Sequence, residues 1–353
     1  MTEIAQRRGG RDTACSVPAA TTLLMAPMAE ITTPAFRKCV RKFSSDVILH
    51  TEMLSAAALA TNALYNEPLL LKTEYDEPLV YQLLGSDPGQ MAQSCTILAD
   101  SGANAVDINM GCSAPDILKK CQGSKLLADM GLAREIVKSC RASFSGSLSV
   151  KMRSGSDSSD PVYLEKFALM LQDEGVDYIT LHPRHGKLGF KRTADWQLVT
   201  LLKNKLRIPV YGNGDIGSAE DTALRFAQTG CDGIMIGRKT VQEPWLFRCC
   251  RDLLDTGSYK VQVNMSEIFL EVLADIEKFL PPELHKSRMH RFSFYFTKNF
   301  YFSHELFRKI RNVDKPMQAA DIMKDYAERN PHENIRIFKG GSADGIHEGL
   351  DRT

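Results

Sequence analysis

The sequence predicts an α/β fold, a (β/α)8 TIM barrel followed by a small all-helical domain. Eight short apolar segments, rich in β-branched residues and each followed by small, polar or charged residues, recur over roughly 230 residues, the size and rhythm of such a barrel. Helix-like stretches separate them. Beyond about residue 250 the strand-like segments cease and helical patterns take over.

The segments are "TLLMAP" from Thr22, "DVILHTEM" from Asp46, "LVYQLLG" from Leu79 and "AVDINMG" from Ala105, then "LSVKMRSG" from Leu148, "YITLHPR" from Tyr178, "IPVYGNGD" from Ile208 and "GIMIGR" from Gly233. Between them "PGQMAQSCTILADSGA", "LAREIVKSCRAS", "PVYLEKFALMLQDEGV" and "SAEDTALRFAQTGC" read as helices, and three end in glycine just before the next strand, as αβ connections do. A doubly wound open sheet would also alternate and stays the alternative fold, although no G-x-G-x-x-G follows the first strand. Farther on, "SEIFLEVLADIEKFL", "RFSFYFTKNFYFSHELFRKI" and "KPMQAADIMKDYAERN" read as helices, with "PPELHK" as an interruption. The expected organisation is a flexible arm at 1–17, a barrel at 18–250, a helical domain at 260–338 and a flexible tail at 339–353.

A chain of 353 residues, 43% hydrophobic and 25% charged, is large enough to bury a substantial core, and its net charge of +1 points to no particular partner. Its nine cysteines, an odd number without a C-x-x-C pair, read as reduced thiols of a cytoplasmic protein rather than as disulfides or a metal site. No run of about eighteen apolar residues suggests a membrane span, and the first seventeen residues lack the apolar core of a signal peptide. A cytoplasmic monomer without metal is expected.

In a barrel the residues just past each strand build the working face. Those positions hold Ala26, Pro27 and Met28 after the first strand, Glu52 and Ser55 after the second, Gln82 after the third, and Asn109 and Cys112 after the fourth. Lys151 and Arg153 follow from the fifth, His182 and Arg184 from the sixth, Asn213, Gly214 and Asp215 from the seventh, and Gly237 and Arg238 from the eighth. Amides, cations and one thiol, with glycine-containing loops on the last two strands, point to an anionic cofactor whose phosphate rests on backbone N–H groups.

The blocks "LLMAPMAEITTPAFR", "HTEMLSA", "QLLGSDP", "DINMGCSAP", "IPVYGNGDIGSAEDTALRFAQTGCDGIMIGR" and "PWLFR" resemble, in order, those of the tRNA-dihydrouridine synthases, particularly the bacterial branch with an "MGCPAPK"-type loop. The resemblance covers about residues 22 to 250 and continues more faintly through "MHRFSFYFTKNF". It implies an FMN-dependent, NADPH-reduced oxidoreductase that reduces the C5=C6 bond of uridines in tRNA. By that resemblance Cys112 is the proton donor to C5; an unperturbed thiol, with a pKa of about 8.5, is mostly protonated at neutral pH. Gly111 would let the backbone turn sharply, and Asn109 would offer its amide to flavin or base. Lys151 would lie beside the flavin ring, His182 beside the ring or its phosphate, Gln82 at its pyrimidine edge, and Met28 and Ala29 against it. Pro27, Asn213, Gly214, Asp215, Gly237 and Arg238 complete the cofactor set.

Three places depart from the family pattern. Ser113 stands where proline is usual; "HPRHGKLGFKRTADW" replaces "HGRTRxQxYxGxADW", keeping Arg184, Phe190 and Trp196 in kind but carrying Gly186 and Arg192; and "GRKTVQEPW" replaces a run of small residues. From His285 to Lys315 there are eight Lys and Arg, two acids and eight aromatics, a net +6 suited to a phosphate backbone. Arg153, Arg184, Lys286, Arg288, Arg291 and Lys298 are the candidate tRNA contacts, whereas Phe292, Phe296 and Phe300, at i, i+4 and i+8, read as a buried stripe. Two other readings stay open: an FMN barrel acting on a free pyrimidine or small unsaturated substrate, and a tRNA-binding homologue without catalysis.

Overall fold

The computed structural model describes residues 21–61, 67–188 and 192–341. The expected arm at 1–17, Cys15, Phe190 and the tail beyond 341 lie outside the described residues. All eight expected strands form: β1 Thr22–Met25, β2 Leu49–Ser55, β3 Leu79–Leu84, β4 Ala105–Met110, β5 Ser147–Arg153, β6 Tyr178–His182, β7 Val210–Asn213 and β8 Gly233–Ile236. From β2 to β8 each pairs in parallel with the next, and β8 pairs with β1 from Thr22–Gly233 to Met25–Ile236. The ring closes between β1 and the start of β2 by a single bridge, Leu24 to Ile48, flanked by hydrogen bonds from Met25 N–H to the Ile48 carbonyl (2.9 Å) and from Ile48 N–H to the Leu23 carbonyl (3.0 Å). Closure makes this a (β/α)8 barrel and rules out the open doubly wound sheet.

Strand alternation separates two cores. Along β4 and β5, Val106, Ile108, Met110, Leu148, Val150 and Met152 belong to the main apolar core under the surrounding helices. Asp107, Asn109, Ser149, Lys151 and Arg153 alternate with them and point the other way, toward the barrel axis. A separate cluster of Leu24, Ala26, Ile48, Val80, Tyr178, Tyr211 and Met235 fills the barrel interior. Polar residues toward the C-terminal strand ends are thus backed by an apolar plug and open only at the mouth.

The surrounding helices begin where a short polar side chain precedes a proline or an apolar run. Asp87 caps Pro88–Asp100, Asp129 caps Met130–Ser143, Asp160 caps Pro161–Asp173 and Ser218 caps Ala219–Thr229, each accepting a backbone N–H. The three glycines expected to end helices, Gly102, Gly175 and Gly230, all adopt left-handed φ.

Strands do not cease after residue 250. The C-terminal region contains the helices Met265–Phe279, Pro282–Phe296, Ser303–Arg311 and Pro316–Arg329, but it opens with β9, Tyr259–Asn264, and closes with β10, Ile335–Gly340. These two pair antiparallel, so the region is helical with one ribbon, and Lys339 and Gly340, expected in a tail, are strand residues opposite Lys260 and Tyr259. Each is only six residues long and its partner lies at the far end of the domain, so neither forms a local hairpin signal. Phe292, Phe296 and Phe300 are buried as the stripe predicts, with Phe292 against Phe36 of the barrel and Phe296 against Trp245.

Candidate active site

The C-terminal strand ends surround a cavity of about 730 Å³, within the range of about 300–1,000 Å³ usual for small-molecule sites. Ala26, Pro27, Met28, Met53, Ile216 and Met235 give it an apolar lining. Its charged lining is lopsided: among the described residues Lys151, Arg153, Arg184, Arg238, Lys239 and Lys298 face a single acid, Asp215. A concave site of this composition attracts an amphipathic anion.

Cys112 lies half-buried in the wall, and the turn that carries it is held on three sides. The Asn109 side-chain oxygen accepts the N–H groups of Gly111 (3.0 Å) and Cys112 (2.9 Å), which ends the strand and starts the turn. Arg153 Nε donates to the Gly111 carbonyl at 2.9 Å, and Ser124 N–H donates to the Cys112 carbonyl at 2.8 Å. Gly111 plays a smaller part than expected. It does not use left-handed φ, and a Cβ there would meet the Lys151 carbonyl at an ordinary 3.5 Å. The bend comes from Asn109.

Electrostatics follow from burial. Desolvation pushes the Lys151 ammonium down to about 8, opposed by Asp107 and reinforced by Arg153. Desolvation also drives His182 far below its ordinary value, with Lys151, Arg153, Arg184 and Arg238 adding to the effect, so the imidazole is neutral. Asp107, beneath the site, is pushed up to about 6 by burial even though Gln82 and Ser149 donate to it. Arg184 grips Asp215 with one nitrogen, at 2.8 and 2.6 Å to the two carboxylate oxygens. Burial raises the Asp215 carboxyl, but that grip, with the Ala194 N–H, holds it below its usual range.

The cavity brings together Pro27, Met28, Asn109, Cys112, Lys151, Arg153, His182, Arg184, Asn213, Gly214, Asp215, Gly237, Arg238 and Lys298. Other candidates stand elsewhere. Gln82 is fully buried and is not part of the lining; its amide lies between Asp107 and Asn109. Ala29 is exposed outside the cavity. Arg288 is turned inward against Glu52 (3.4 Å) and Glu30 (3.8 Å), and Arg291 is paired with Glu30, so these two cations join the helical region to the barrel rather than forming an open cationic face. Lys286 is exposed beside Asp314.

Reading strand ends missed the residues that come from elsewhere. Ser124 and Gly123 reach the Cys112 turn from a short 3-10 segment, Gly123–Ala128, and Tyr295 reaches the cavity from the helical region. The glycine in "CQGSKLL" was a visible signal, but nothing local says what it packs against.

Fold and site define a (β/α)8-barrel enzyme with its working face at the C-terminal strand ends. The chain belongs to the dihydrouridine synthase family, whose model matches residues 24–329. It is 34% identical over 246 residues to the probable tRNA-dihydrouridine synthase 1 of Synechocystis sp., covering 69% of this chain and 68% of that protein. It is 31% identical over 267 residues to tRNA-dihydrouridine synthase B of Pseudomonas aeruginosa, covering 74% and 79%. Among solved structures, a 6-hydroxypseudooxynicotine amine oxidase from Pseudomonas geniculata N1 superposes with a TM-score of 0.52 at 12% identity, over 65% of this chain and 47% of that one, a likeness of fold alone. Among the described residues no helix is long and apolar enough to cross a membrane, and no cluster of His, Cys, Asp and Glu could hold a metal ion.

Proposed function

We propose that this chain is a cytoplasmic, monomeric tRNA-dihydrouridine synthase that reduces the C5=C6 bond of specific uridines, with FMN in the barrel mouth and NADPH as reductant. The observation that carries this reading is the pinned, half-buried Cys112 thiol in a cavity whose lining is rich in cations, amides and apolar side chains.

The donor set fits a flavin mononucleotide. Gly214, Gly237 and Arg238 would hold the phosphate, where the helix Arg238–Gln242 begins without a side-chain cap on its N–H groups. Lys151, Asn109 and His182 offer polar atoms to the ring, and Pro27 and Met28 an apolar surface. When bound, FMN would supply the reducing equivalents destined for C6, with NADPH as their source. The chain's own task is the proton: Cys112 Sγ–H gives it to C5 and recovers it from solvent, so uridine, NADPH and one proton become dihydrouridine and NADP+. Lys151 keeps a positive charge beside the reacting centre at neutral pH.

A rim on the helical region supports RNA as the substrate. Tyr295 and Lys298 line the cavity, and the Lys298 ammonium sits 4.4 Å from the centroid of the exposed Phe294 ring. Phe294 touches Phe307 on the helix Ser303–Arg311, whose last turn presents Arg308 and Arg311, exposed and without an ion pair among the described residues. Cations interleaved with exposed aromatic rings suit phosphates and unstacked bases. A target uridine would leave its stack to reach the cavity.

The test is the absorption spectrum of protein reconstituted with FMN, followed by NADPH oxidation with unmodified tRNA and with free uridine. Flavin binding with tRNA-dependent dihydrouridine formation is the expected result; a response to free uridine alone would replace tRNA by a small substrate.

A further inference from the structure

Beneath the Cys112 turn runs a chain of buried side-chain hydrogen bonds. Ser149 Oγ donates to Asp107 Oδ1 at 2.7 Å, Gln82 Nε2 donates to Asp107 Oδ2 at 2.6 Å, and Asn109 Nδ2 donates to Gln82 Oε1 at 2.8 Å. Asn109 Oδ1 then accepts from both Gly111 and Cys112 N–H. All four side chains are at most 5% exposed.

The chain has one permitted polarity. Backbone N–H groups can only donate, so the atom facing them must be the Asn109 oxygen, which turns its NH2 toward Gln82. Gln82 must answer with its oxygen, so its own NH2 faces Asp107, and a carboxylate is an acceptor there. Flipping Gln82 would oppose two NH2 groups at one junction and two oxygens at the other, and flipping Asn109 would oppose two oxygens at Gln82 and set an NH2 against the Gly111 and Cys112 N–H groups, each buried and unsatisfied. Both ends of the chain demand the same orientation.

We infer that Asp107 is a positioning residue for the proton-donating loop: acting through Gln82 and Asn109, it fixes the direction of the amides and so holds the Cys112 turn in place. It touches neither the cavity nor the reacting atoms. The inference rests on Cys112 being the donor only for its catalytic consequence; the positioning itself concerns the turn alone.

The test reverses one link. In Gln82→Glu two carboxylates face each other across the 2.6 Å contact, while in Gln82→Glu combined with Asp107→Asn the Asn NH2 donates to the Glu, whose other oxygen still accepts from Asn109. Two quantities are read: turnover at saturating tRNA, and the alkylation rate of Cys112 by iodoacetamide, mapped by peptide mass in the protein without substrate. Gln82→Glu should lower turnover about tenfold or more with the KM for tRNA within about twofold, and raise Cys112 alkylation several-fold; the double variant should bring both back to within about threefold of wild type. A double variant no better than Gln82→Glu, or a Gln82→Glu protein identical to wild type, would overturn the inference. If Gln82→Glu does not fold, Gln82→Met serves in its place: it keeps the bulk and removes the acceptor, so it should show the same two changes and gain nothing from Asp107→Asn, and equal behaviour to wild type would again refute positioning. If wild type makes no dihydrouridine but alkylation follows the expected order, the reaction assignment fails and the positioning stands.

Discussion

The carbonyl of Cys112 lies against Gly123 so closely that a Cβ on that glycine would fall inside the contact distance of the carbonyl oxygen. Gly123 also holds a φ of +62°, a region that disfavours side chains. Gly123→Ala therefore meets backbone strain of about 1–2 kcal/mol together with a clash against main chain that cannot swing away. The expected result is a loss of turnover of about tenfold or more with tRNA affinity retained, because the clash falls on the turn and not on the proposed RNA rim. Steady-state kinetics and a binding isotherm on the same preparation check it.

Cys112→Ala removes the proposed proton donor without touching the pins on its turn, which are all main-chain atoms of residues 111 and 112. Dihydrouridine formation should fall by about 10²–10⁴, the usual value of a positioned general acid, with thermal stability and tRNA affinity near wild type. Quantifying dihydrouridine by nucleoside mass spectrometry gives the answer, and wild-type turnover would refute the role.

Legibility in the sequence followed locality. Each strand carries its own apolar run and each strand end its own chemistry, so the barrel and the placement of Cys112, Lys151 and His182 at one mouth could be read directly. Depth was not readable. Gln82 and Asn109 look alike as strand-end amides, yet one is sealed below the cavity and the other lines it, a difference fixed by how neighbouring strands stagger around the barrel. Charge destination was not readable either: Lys286 and Arg288 stand two apart on one helix, and only the docking of that helix against Glu30 and Glu52 sends Arg288 inward. β9 and β10 escaped for the same reason, since each finds its partner across the whole domain.

The pH dependence should show an early alkaline limb. Lys151 loses its proton near pH 8, well below its ordinary 10.5, because burial outweighs the attraction of Asp107. Its positive charge is present below that pH and lost above it, so dihydrouridine formation should decline as pH rises through about 8. Asp107→Asn removes the one carboxylate that favours the charged lysine and should shift that limb to lower pH. Turnover measured across pH 6–10 for the two proteins checks this, and a limb that Asp107→Asn leaves in place would show that this amine is not the titrating group.

Arg288 and Lys286 should part company in stability. Removing Arg288 leaves the buried Glu52 carboxylate facing Glu30 without its cation, a loss of about 3 kcal/mol at the low end for breaking a buried pair, since the contacts are long at 3.4 and 3.8 Å. Lys286 and Asp314 are both exposed, and Lys286→Ala should change stability by about 0.5 kcal/mol or less. Urea unfolding of both variants tests this, and equal midpoints would show that the Glu52 contact does not hold the helical region to the barrel.

Lys298 is the cation best placed to meet RNA, because it lines the cavity, rests over the exposed Phe294 ring and forms no ion pair among the described residues. A lysine that neutralises one phosphate releases about one counterion, so Lys298→Ala should weaken tRNA binding and flatten the plot of log affinity against log salt by about 0.7–0.9. Arg291→Ala serves as the contrast: its guanidinium is already held by Glu30, and the salt slope should stay at the wild-type value. Phe294→Ala separates stacking from charge, since losing a ring contact lowers affinity without altering the slope. Fluorescence anisotropy with labelled tRNA over a salt series distinguishes these cases, and an unchanged slope for Lys298→Ala would move the phosphate contact to Arg308 or Arg311 on the neighbouring helix.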